Sequence, residues 1–266
     1  MTARRLDAEL VARGLARSRG QARELVDAGV VLVDGRPAAK PAQPVGPEDA
    51  IVLTRPPEKW VGRAAFKLLH ALQTWPIAVE GRRCVDVGAS TGGFTQVLLE
   101  HGAAHVTALD VGHDQLAAEV AADPRVTDLS GTNVRDVDVT ALGGPFDVVV
   151  ADLSFISLTV VLAPLRALVR EDGDLVVLVK PQFEVGRERL SRTGVVTSVH
   201  ERRRVLRAVV DVALGLGLQL EGAVASPIAG GEGNREFLLW LRPAGPGDAP
   251  SDPDDMLGAI DLEGDP

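Results

Sequence analysis

The sequence predicts an α/β protein in which a small α+β module precedes a Rossmann-like, doubly wound, mostly parallel sheet. From about residue 60, apolar strand-like runs alternate with stretches long enough for crossover helices. Those runs are "RRCVDVG", "HVTALDVG", "PFDVVVADLS" and "DLVVLVK". The Pro-containing "TRPPEKW" predicts a linker at residues 56–62, so the sheet domain is expected over residues 63–242. With 266 residues, 45% of them apolar, the chain can bury a sizeable core.

The first 55 residues are predicted to form two helices and a hairpin. An amphipathic helix is expected over residues 6–13, and a second helix begins in "SRGQARELVDAG", where Ser18 and Gln21 have the spacing of a capping box. In "VVLVDGRPAAKP", two short β-type segments flank Asp34-Gly35, a dipeptide typical of tight hairpin turns.

The last strands and the C-terminus differ sharply in composition. "LQLEGAVASP" and "NREFLLWLR" are expected to pair as an antiparallel hairpin at one edge of the sheet, through the Gly-rich "IAGGEGN". After Arg242, Pro, Gly and Asp dominate, which predicts a disordered acidic tail at residues 243–266.

The net charge of −9 is unevenly distributed. The tail holds seven acids and no base, whereas residues 1–24 hold six arginines against three acids. The acidic balance therefore describes the tail and the body of the protein, and it leaves a nucleic-acid partner possible for the N-terminal face.

Three arginines, Arg17, Arg19 and Arg23, cluster at the start of the second helix, where exposed amides and positive charge favour phosphate. From charge alone, a solvated helix face is the better interpretation. The order of helix, helix and hairpin, however, resembles the αL RNA-binding module shared by small-subunit ribosomal protein S-four and pseudouridine synthases. That resemblance implies that structured RNA binds to Arg4, Arg5, Arg17, Ser18, Arg19 and Arg23.

The first strand of the larger domain ends in "VDVGASTGGFTQVLL". Glycines there let the backbone turn sharply and approach a ligand at the carboxyl end of the strand. The spacing of Gly88, Gly92 and Gly93 does not fit G-x-G-x-x-G, so a dinucleotide fingerprint is absent. The arrangement Asp-x-Gly-x-x-x-Gly-Gly instead resembles the S-adenosylmethionine loop of class I methyltransferases.

This resemblance implies contacts with S-adenosylmethionine along the loop and at the next strand ends. Asp110, at the end of the second strand, would accept hydrogen bonds from the ribose hydroxyls, and Asn133, Val134 or Asp136 would lie near adenine. Asp110 could equally be a turn or capping residue, and Asn133 and Asp136 could be ordinary loop residues. The loop contacts are assigned to Asp86, Gly88, Ala89, Ser90, Gly92, Gly93 and Phe94.

Two strands of the predicted sheet end in chemically active side chains. Lys180 ends "DLVVLVK" and Asp152 ends "PFDVVVAD", so both are expected at the same sheet edge as the glycine loop. Lys67 precedes the first strand and Glu236 begins the last. Taken singly, these are a snorkelling lysine, a capping aspartate or a surface glutamate. Their order resembles the Lys-Asp-Lys-Glu tetrad of FtsJ-type RNA ribose 2′-O-methyltransferases.

A lysine in such a tetrad can accept a proton from a ribose hydroxyl only in its neutral form. A ribose hydroxyl must lose its proton as it attacks the methyl carbon, yet a free lysine, with a pKa of about 10.4, is almost fully protonated at neutral pH. A neighbouring cation would lower the pKa of such a lysine, and carboxylates would raise it. The resemblance implies that Lys180 accepts the proton or steers the hydroxyl, that Lys67, Asp152 and Glu236 orient it, and that Asp152 lies near the methyl group.

Residues 1–242 as a whole resemble the TlyA family, through "ASTGGFT", "DLSFIS", "VKPQFEVG" and the C-terminal "GN.EF.LWL" pattern. The resemblance implies 2′-O-methylation of cytidine in small- and large-subunit ribosomal RNA. Two alternatives remain open: an RNA-binding protein with an inactive methyltransferase fold, and a membrane-lytic haemolysin acting through "ERRRVLRAVVDVALGLG". The tail falls outside the resemblance.

The remaining features bear on location and metal binding. The N-terminus lacks the apolar region of a signal peptide, and no apolar stretch approaches the roughly 20 residues of a membrane span. The single cysteine, Cys84, is expected in the core of a protein in a reducing compartment. The cytoplasm is therefore the expected location, with ribosomal RNA or subunits as partner, no stable membrane association and no metal site.

Overall fold

The computed structural model describes residues 3–186, 188–245 and 252–263. The chain divides into two compact units, Met1–Lys59 and Trp60–Pro266. The division falls inside the stretch at which the sequence predicts a linker.

The first unit packs two helices against short strands. Its elements are β1 (Arg4–Arg5), α1 (Leu6–Ala12), α2 (Arg19–Asp27), β2 (Val31–Val33), β3 (Arg36–Pro37), β4 (Pro44–Val45) and β5 (Ile51–Leu53). β1 pairs with β4, and β3, β2 and β5 form an antiparallel sheet in that order. Asp34 and Gly35 both have positive φ, as the predicted two-residue turn requires. Ser18 caps α2 by accepting the Gln21 amide, but the Gln21 side chain accepts from the Arg17 amide, so the capping box is not reciprocal.

The second unit contains a seven-stranded sheet. Its strands are β6 (Arg83–Val87), β7 (His105–Asp110), β8 (Val126–Ser130), β9 (Phe146–Ala151), β10 (Val169–Val179), β11 (Leu218–Ala225) and β12 (Phe237–Pro243). The order is β11-β12-β10-β9-β6-β7-β8, with β12 antiparallel to both neighbours and the other pairs parallel. The mostly parallel sheet and the antiparallel hairpin at one edge are therefore confirmed. The sequence reasoning missed β8, a half-exposed edge strand with an irregular polar pattern.

Helices cover both faces of this sheet. They are α3 (Ala65–Thr74), α4 (Gly93–Glu100), α5 (Ala118–Ala121), α6 (Leu158–Leu168), α7 (Pro181–Glu184), α8 (Val199–Gly215) and α9 (Pro253–Gly258), with a 3₁₀ turn at Val134–Asp136. Because side chains alternate across a strand, Val177 joins the apolar layer with α6 and α8, whereas Val176 joins the layer with α3 and α4. Two apolar layers thus hold the strand ends in fixed register.

The structure departs from the predicted disordered tail. Residues 253–258 form α9, and Leu257, Ile260 and Leu262 join the core layer of α6 and α8. The prediction from composition was wrong because three apolar side chains are enough to dock a segment that is otherwise rich in Asp and Gly. The stretches 246–251 and 264–266 of the predicted tail lie outside the described residues.

The haemolysin alternative depended on the segment that forms α8. Its apolar side chains, including Leu206, Val209 and Val210, are buried in the core rather than displayed. Within the described part of the chain, no helix is both long and apolar enough to cross a bilayer. Helix α8 therefore has the packing of a core crossover helix.

Candidate active site

The glycine loop between β6 and α4 is shaped by close backbone approaches. Gly88 has φ +86°, and a Cβ atom there would lie 2.6 Å from the carbonyl oxygen of Asp152. Gly92 has φ +91° and faces Leu116 on the α5 side. A Cβ on Gly93 would lie 3.1 Å from the amide nitrogen of Ala65, at the start of α3. The glycines therefore let the loop contact the end of β9 and the helix that carries Lys67.

Asp110 ties the loop to the end of β7. Its two carboxylate oxygens accept the amides of Ser90 at 2.8 Å and Gly112 at 2.7 Å. Ser90 itself has φ +47°, a left-handed conformation that this hydrogen bond holds in place. A carboxylate has about four acceptor positions, so Asp110 can still accept ribose hydroxyls.

Two adjoining cavities open at this sheet edge. The first has a volume of about 530 Å³ and is lined by Gly88, Ser90, Asp110 and Asn133 among others. The second, of about 370 Å³, is lined by residues that include Ala89, Gly93, Phe94 and Lys180. Gly88, Ser90, Asp152 and Ser154 line both cavities, so they mark where the two spaces meet.

Three predicted cofactor residues do not line either cavity. Asp86 is fully buried beneath the loop, where it accepts the Thr95 hydroxyl at 2.7 Å, and burial raises the pKa of this carboxyl to about 7. Gly92 packs toward α5, and Asp136 is exposed in the 3₁₀ turn. Asp86 is therefore placed to support the loop from below.

The four tetrad residues form one connected cluster. Glu236 Oε2 accepts from Lys67 Nζ at 2.6 Å, and the same ammonium lies 3.6 Å from Asp152 Oδ2. Lys180 Nζ lies 2.6 Å from Asp152 Oδ1 as an ion pair. Lys67, Lys180 and Glu236 are buried, with 6%, 8% and 2% of their surface exposed. Asp152 thus bridges two lysines, and the cluster of two ammonium groups and two carboxylates has no net charge.

Sequence reasoning missed two residues of "DLSFIS" that complete this edge. The hydroxyl of Ser154 accepts from Lys180 Nζ at 2.8 Å, which makes it the second oxygen that holds the ammonium. Phe155 is 91% exposed, has φ +64°, and lies 5.1 Å from the Phe183 ring, centroid to centroid. An exposed aromatic side chain with strained backbone beside a cavity indicates a binding residue, and neither its exposure nor its φ can be read from the sequence.

In the first unit, the predicted RNA-binding arginines are organised by Asp7, which sequence reasoning also missed. Asp7 is fully buried and accepts from Arg5 at 3.0 and 2.9 Å and from Arg19 at 3.1 Å, with Arg23 at 3.7 Å. Hydrogen bonds from Arg5 and then Arg19 hold the pKa of this carboxyl well below its usual range. The three guanidinium groups remain about half exposed.

The other predicted RNA-binding residues lie on the same unit. Arg4 lies 3.7 Å from Glu9 and is largely exposed. Arg17 donates to the carbonyl of Glu58 at 2.8 Å, and Ser18 is exposed at the cap of α2. The unit therefore presents several exposed cations near one helix N-terminus, a surface suited to phosphates.

The sheet edge has the features that S-adenosylmethionine needs. The Asp110 carboxylate lines the larger cavity. Gly88 also lines it, and the absence of a Cβ there lets the backbone pack closely against Asp152. Asn133 contributes a side-chain amide, although its oxygen already accepts the Arg135 amide. Among the described residues, no cluster of three or more His, Cys, Asp or Glu could hold a metal ion.

A seven-stranded, mostly parallel sheet with an antiparallel hairpin at one edge, and with a glycine loop and two cavities at the carboxyl ends of its strands, has the architecture of a class I methyltransferase. Residues 60–243 match the FtsJ-like methyltransferase family, and residues 4–51 match the S4 domain. The chain belongs to the TlyA family of FtsJ-like methyltransferases.

Individual relatives support this assignment. The chain is 54% identical over 239 residues to the 16S/23S rRNA (cytidine-2′-O)-methyltransferase TlyA of Mycobacterium tuberculosis, covering 90% of this chain and 89% of the relative. It is 37% identical to Hemolysin A of Brachyspira hyodysenteriae, over 88% of this chain and 98% of the relative. A solved structure from Streptococcus thermophilus, provisionally named a hemolysin, superposes with TM-score 0.72 at 34% identity, covering 97% and 95% of the two chains.

Proposed function

We propose that this chain transfers the methyl group of S-adenosylmethionine to the ribose 2′-hydroxyl of cytidines in small- and large-subunit ribosomal RNA. The observation that carries the proposal is the connected Lys67, Asp152, Lys180 and Glu236 cluster. Within it, Asp152 lines both cavities and Lys180 lines the smaller one. Such a cluster suits a neutral, weakly acidic nucleophile that must be oriented and deprotonated. Ribosomal RNA is also the substrate class for which the M. tuberculosis relative is named.

When bound, S-adenosylmethionine supplies an electrophilic methyl group on a sulfonium. The larger cavity would hold it, with Asp110 accepting the ribose hydroxyls and Asn133 near adenine. Gly88, Ala89, Ser90, Gly93 and Phe94 would lie along its amino-acid part, toward the smaller cavity. Asp86 and Thr95 would keep this loop in place from inside the core.

The chain's own groups would handle the 2′-hydroxyl. Lys180 lies between Asp152 and Ser154, so one direction of its Nζ remains for the ribose oxygen. Lys180 would steer the hydroxyl toward the methyl group and, in its neutral form, take its proton. Lys67 and Glu236 would hold Asp152 at a fixed distance from Lys180, which keeps the nucleophile within attacking distance.

The first unit would bring RNA to this site. A 2′-hydroxyl occurs on nearly every nucleotide, so the catalytic edge has little basis for choosing one, and the choice requires contacts with RNA shape. Arg4, Arg5, Arg17, Ser18, Arg19 and Arg23 would supply them through phosphates. Because the proposed substrate is ribosomal RNA, we place the protein in the cytoplasm.

The choice of ribosomal subunit needs its own test. The M. tuberculosis relative is named for 16S and 23S RNA, whereas the 32% identical Campylobacter jejuni relative is named for 23S RNA alone. The higher identity to the former supports action on both. Purified protein, methyl-labelled S-adenosylmethionine and separate 30S and 50S subunits, followed by mapping of 2′-O-methyl marks, would settle the substrate. Unmarked cytidines in both subunits would refute the proposal.

The catalytic role of the cluster is tested by Lys180→Ala. This variant should abolish methyl transfer while the dissociation constant for S-adenosylmethionine stays close to that of the parent, because Asp110 and Asn133, the proposed adenosine contacts, line the larger cavity and Lys180 does not. Arg166→Ala is a control, since Arg166 on α6 pairs with Glu171 of β10 and neither residue lines either of the two cavities. Near-normal turnover by Lys180→Ala would remove Lys180 from the mechanism.

A further inference from the structure

The C-terminal segment, defined as residues 252–263, is docked on the catalytic unit. Leu257, Ile260 and Leu262 are only 4%, 7% and 3% exposed and join the core layer that includes α8 and β11. α9 is six residues long, too short to be stable in water without tertiary packing. The segment is therefore held by what it contacts.

Two buried arginines donate hydrogen bonds to this segment. Arg202 donates to the carbonyl of Val196 at 2.9 Å and to that of Leu262 at 2.6 Å. Arg235 donates to the Asp261 carbonyl at 3.1 and 3.0 Å and to its carboxylate at 3.1 Å. Both arginines are at least nine-tenths buried, and a buried guanidinium needs acceptors for its donors. The docked segment supplies several of these acceptors.

Arg235 is the residue immediately before Glu236 of the tetrad. On its other side, Asn234 is fully buried, accepts the Val196 amide and donates to the Gly194 carbonyl, both at 2.9 Å. The side chains of Asn234 and Arg235 thus tie residues 234–236 to the loop at 194–196 and to the C-terminal segment, while the carbonyls of Asn234 and Glu236 accept the amides of Gly230 and Ser226. Arg202 joins those two supports, since it donates to both of them.

The Glu236 carboxylate lies against Gly230 and Lys67. A Cβ at position 230 would clash with Oε1, and Oε2 accepts from Lys67 at 2.6 Å. A small shift of the backbone at Arg235 would therefore move the carboxylate relative to Lys67 and Asp152. In active sites a displacement of about 1 Å can cost roughly a hundredfold in rate.

We infer that the C-terminal segment positions Glu236 for catalysis, with Arg235 as the positioning residue between them. The inference rests on the proposed function for its activity readout. The acceptors from Asp261 keep Arg235 buried, and the backbone at Arg235 in turn sets the place from which Glu236 reaches Lys67. The C-terminal segment is thus part of the support of the active site.

The experiment uses the full chain with three substitutions. Leu262→Asp undocks the segment and leaves Arg235 unchanged, whereas Arg235→Gln removes the guanidinium and leaves the segment unchanged. Arg207→Gln is the matched control, because it breaks an ion pair between the exposed Arg207 and Asp254 of α9. For each variant, kcat and KM for the RNA substrate, the dissociation constant for S-adenosylmethionine, and hydrogen exchange of residues 234–241 are measured.

We expect both test variants to lower kcat by about tenfold to a hundredfold, with the cofactor constant and KM close to those of the parent. Exchange at residues 234–241 should accelerate in both, and the control should match the parent. A synthetic peptide of residues 252–263, added in trans, should restore kcat to the Leu262→Asp variant but not to Arg235→Gln. A role in fold stability alone would not give that pattern of rescue.

The inference is overturned if the undocked variant keeps parental kcat, if the control loses as much, or if the peptide rescues neither variant. Should Leu262→Asp fail to fold, Leu262→Ala provides the same test with a smaller disturbance. Hydrogen exchange does not depend on methyl transfer. An inactive parent would therefore contradict the proposed function, while unchanged exchange in the variants would contradict the positioning role.

Discussion

Removal of the carboxylate at position 236 isolates the energetics of the buried tetrad. In Glu236→Leu, Lys67 loses the acceptor at 2.6 Å and keeps only Asp152 at 3.6 Å. The cluster then holds two ammonium groups and one carboxylate, with Lys67 only 6% exposed. Breaking a buried ion pair on one side costs about 3–5 kcal/mol because the partner remains buried and unpaired.

Since Asp152 still faces Lys67, the lower end of that range applies, about 3 kcal/mol. For a unit of 150–250 residues, each kcal/mol shifts the melting temperature by about 2–4 °C, so the second unit should melt about 6–12 °C lower. Adding Lys67→Met removes one positive charge, so the double variant lacks one charge of each sign and its cluster is again neutral. Apolar replacement of a whole buried pair is often neutral for stability. The double variant should therefore regain most of the loss.

Urea denaturation of the parent, both single variants and the double variant gives the free energy of unfolding for a complete cycle. Methyl transfer measured on the same samples should stay low in all three variants, since stability returns without the geometry of the tetrad. Parental stability of Glu236→Leu, or a double variant no more stable than the weaker single variant, would refute the ion-pair reasoning.

Three further predictions concern the cofactor, the RNA and pH. Asp110→Ala should weaken S-adenosylmethionine binding by about 1–3 kcal/mol, measured by calorimetry; an unchanged constant would place the adenosine elsewhere. Replacing Arg17, Arg19 and Arg23 with Ala should reduce the slope of log affinity for RNA against log salt concentration by up to about 0.9 for each lost duplex contact, without altering cofactor binding. A salt slope equal to that of the parent would show that these arginines are not in the interface. The pKa of Asp86 is about 7 in the folded protein and 3.8 in the unfolded chain. Between pH 3.8 and about 7 the folded protein therefore binds more protons than the unfolded chain, and the free energy of unfolding falls as the pH rises through this range. Asp86→Asn should therefore gain stability relative to the parent at pH 8 compared with pH 5, and parallel pH curves in denaturant titrations would contradict this.

The positions of Lys180 and Asp152 were predictable because a parallel sheet imposes simple geometry. Lys180 and Asp152 each follow an apolar run, and the carboxyl ends of parallel strands meet at one edge whatever the details of packing. In the structure, Lys180 Nζ lies 2.6 Å from Asp152 Oδ1. Gly88 was equally predictable, since a turn immediately after a strand requires a residue that tolerates positive φ.

Other features depend on contacts between residues far apart in the chain, which no local pattern encodes. Asp7 looks like an ordinary acid in the first turn of a helix, yet folding buries it beneath Arg19. The C-terminal segment has the composition of a disordered tail, and only docking onto Arg202 and Arg235 gives its carbonyls a place in the core. Periodicity and strand-end residues thus determined the fold class and placed Asp152 and Lys180 at one edge of the sheet. The tertiary structure alone decided which charges are buried together and what holds them, because those energies come from desolvation and long-range packing rather than from neighbours in sequence.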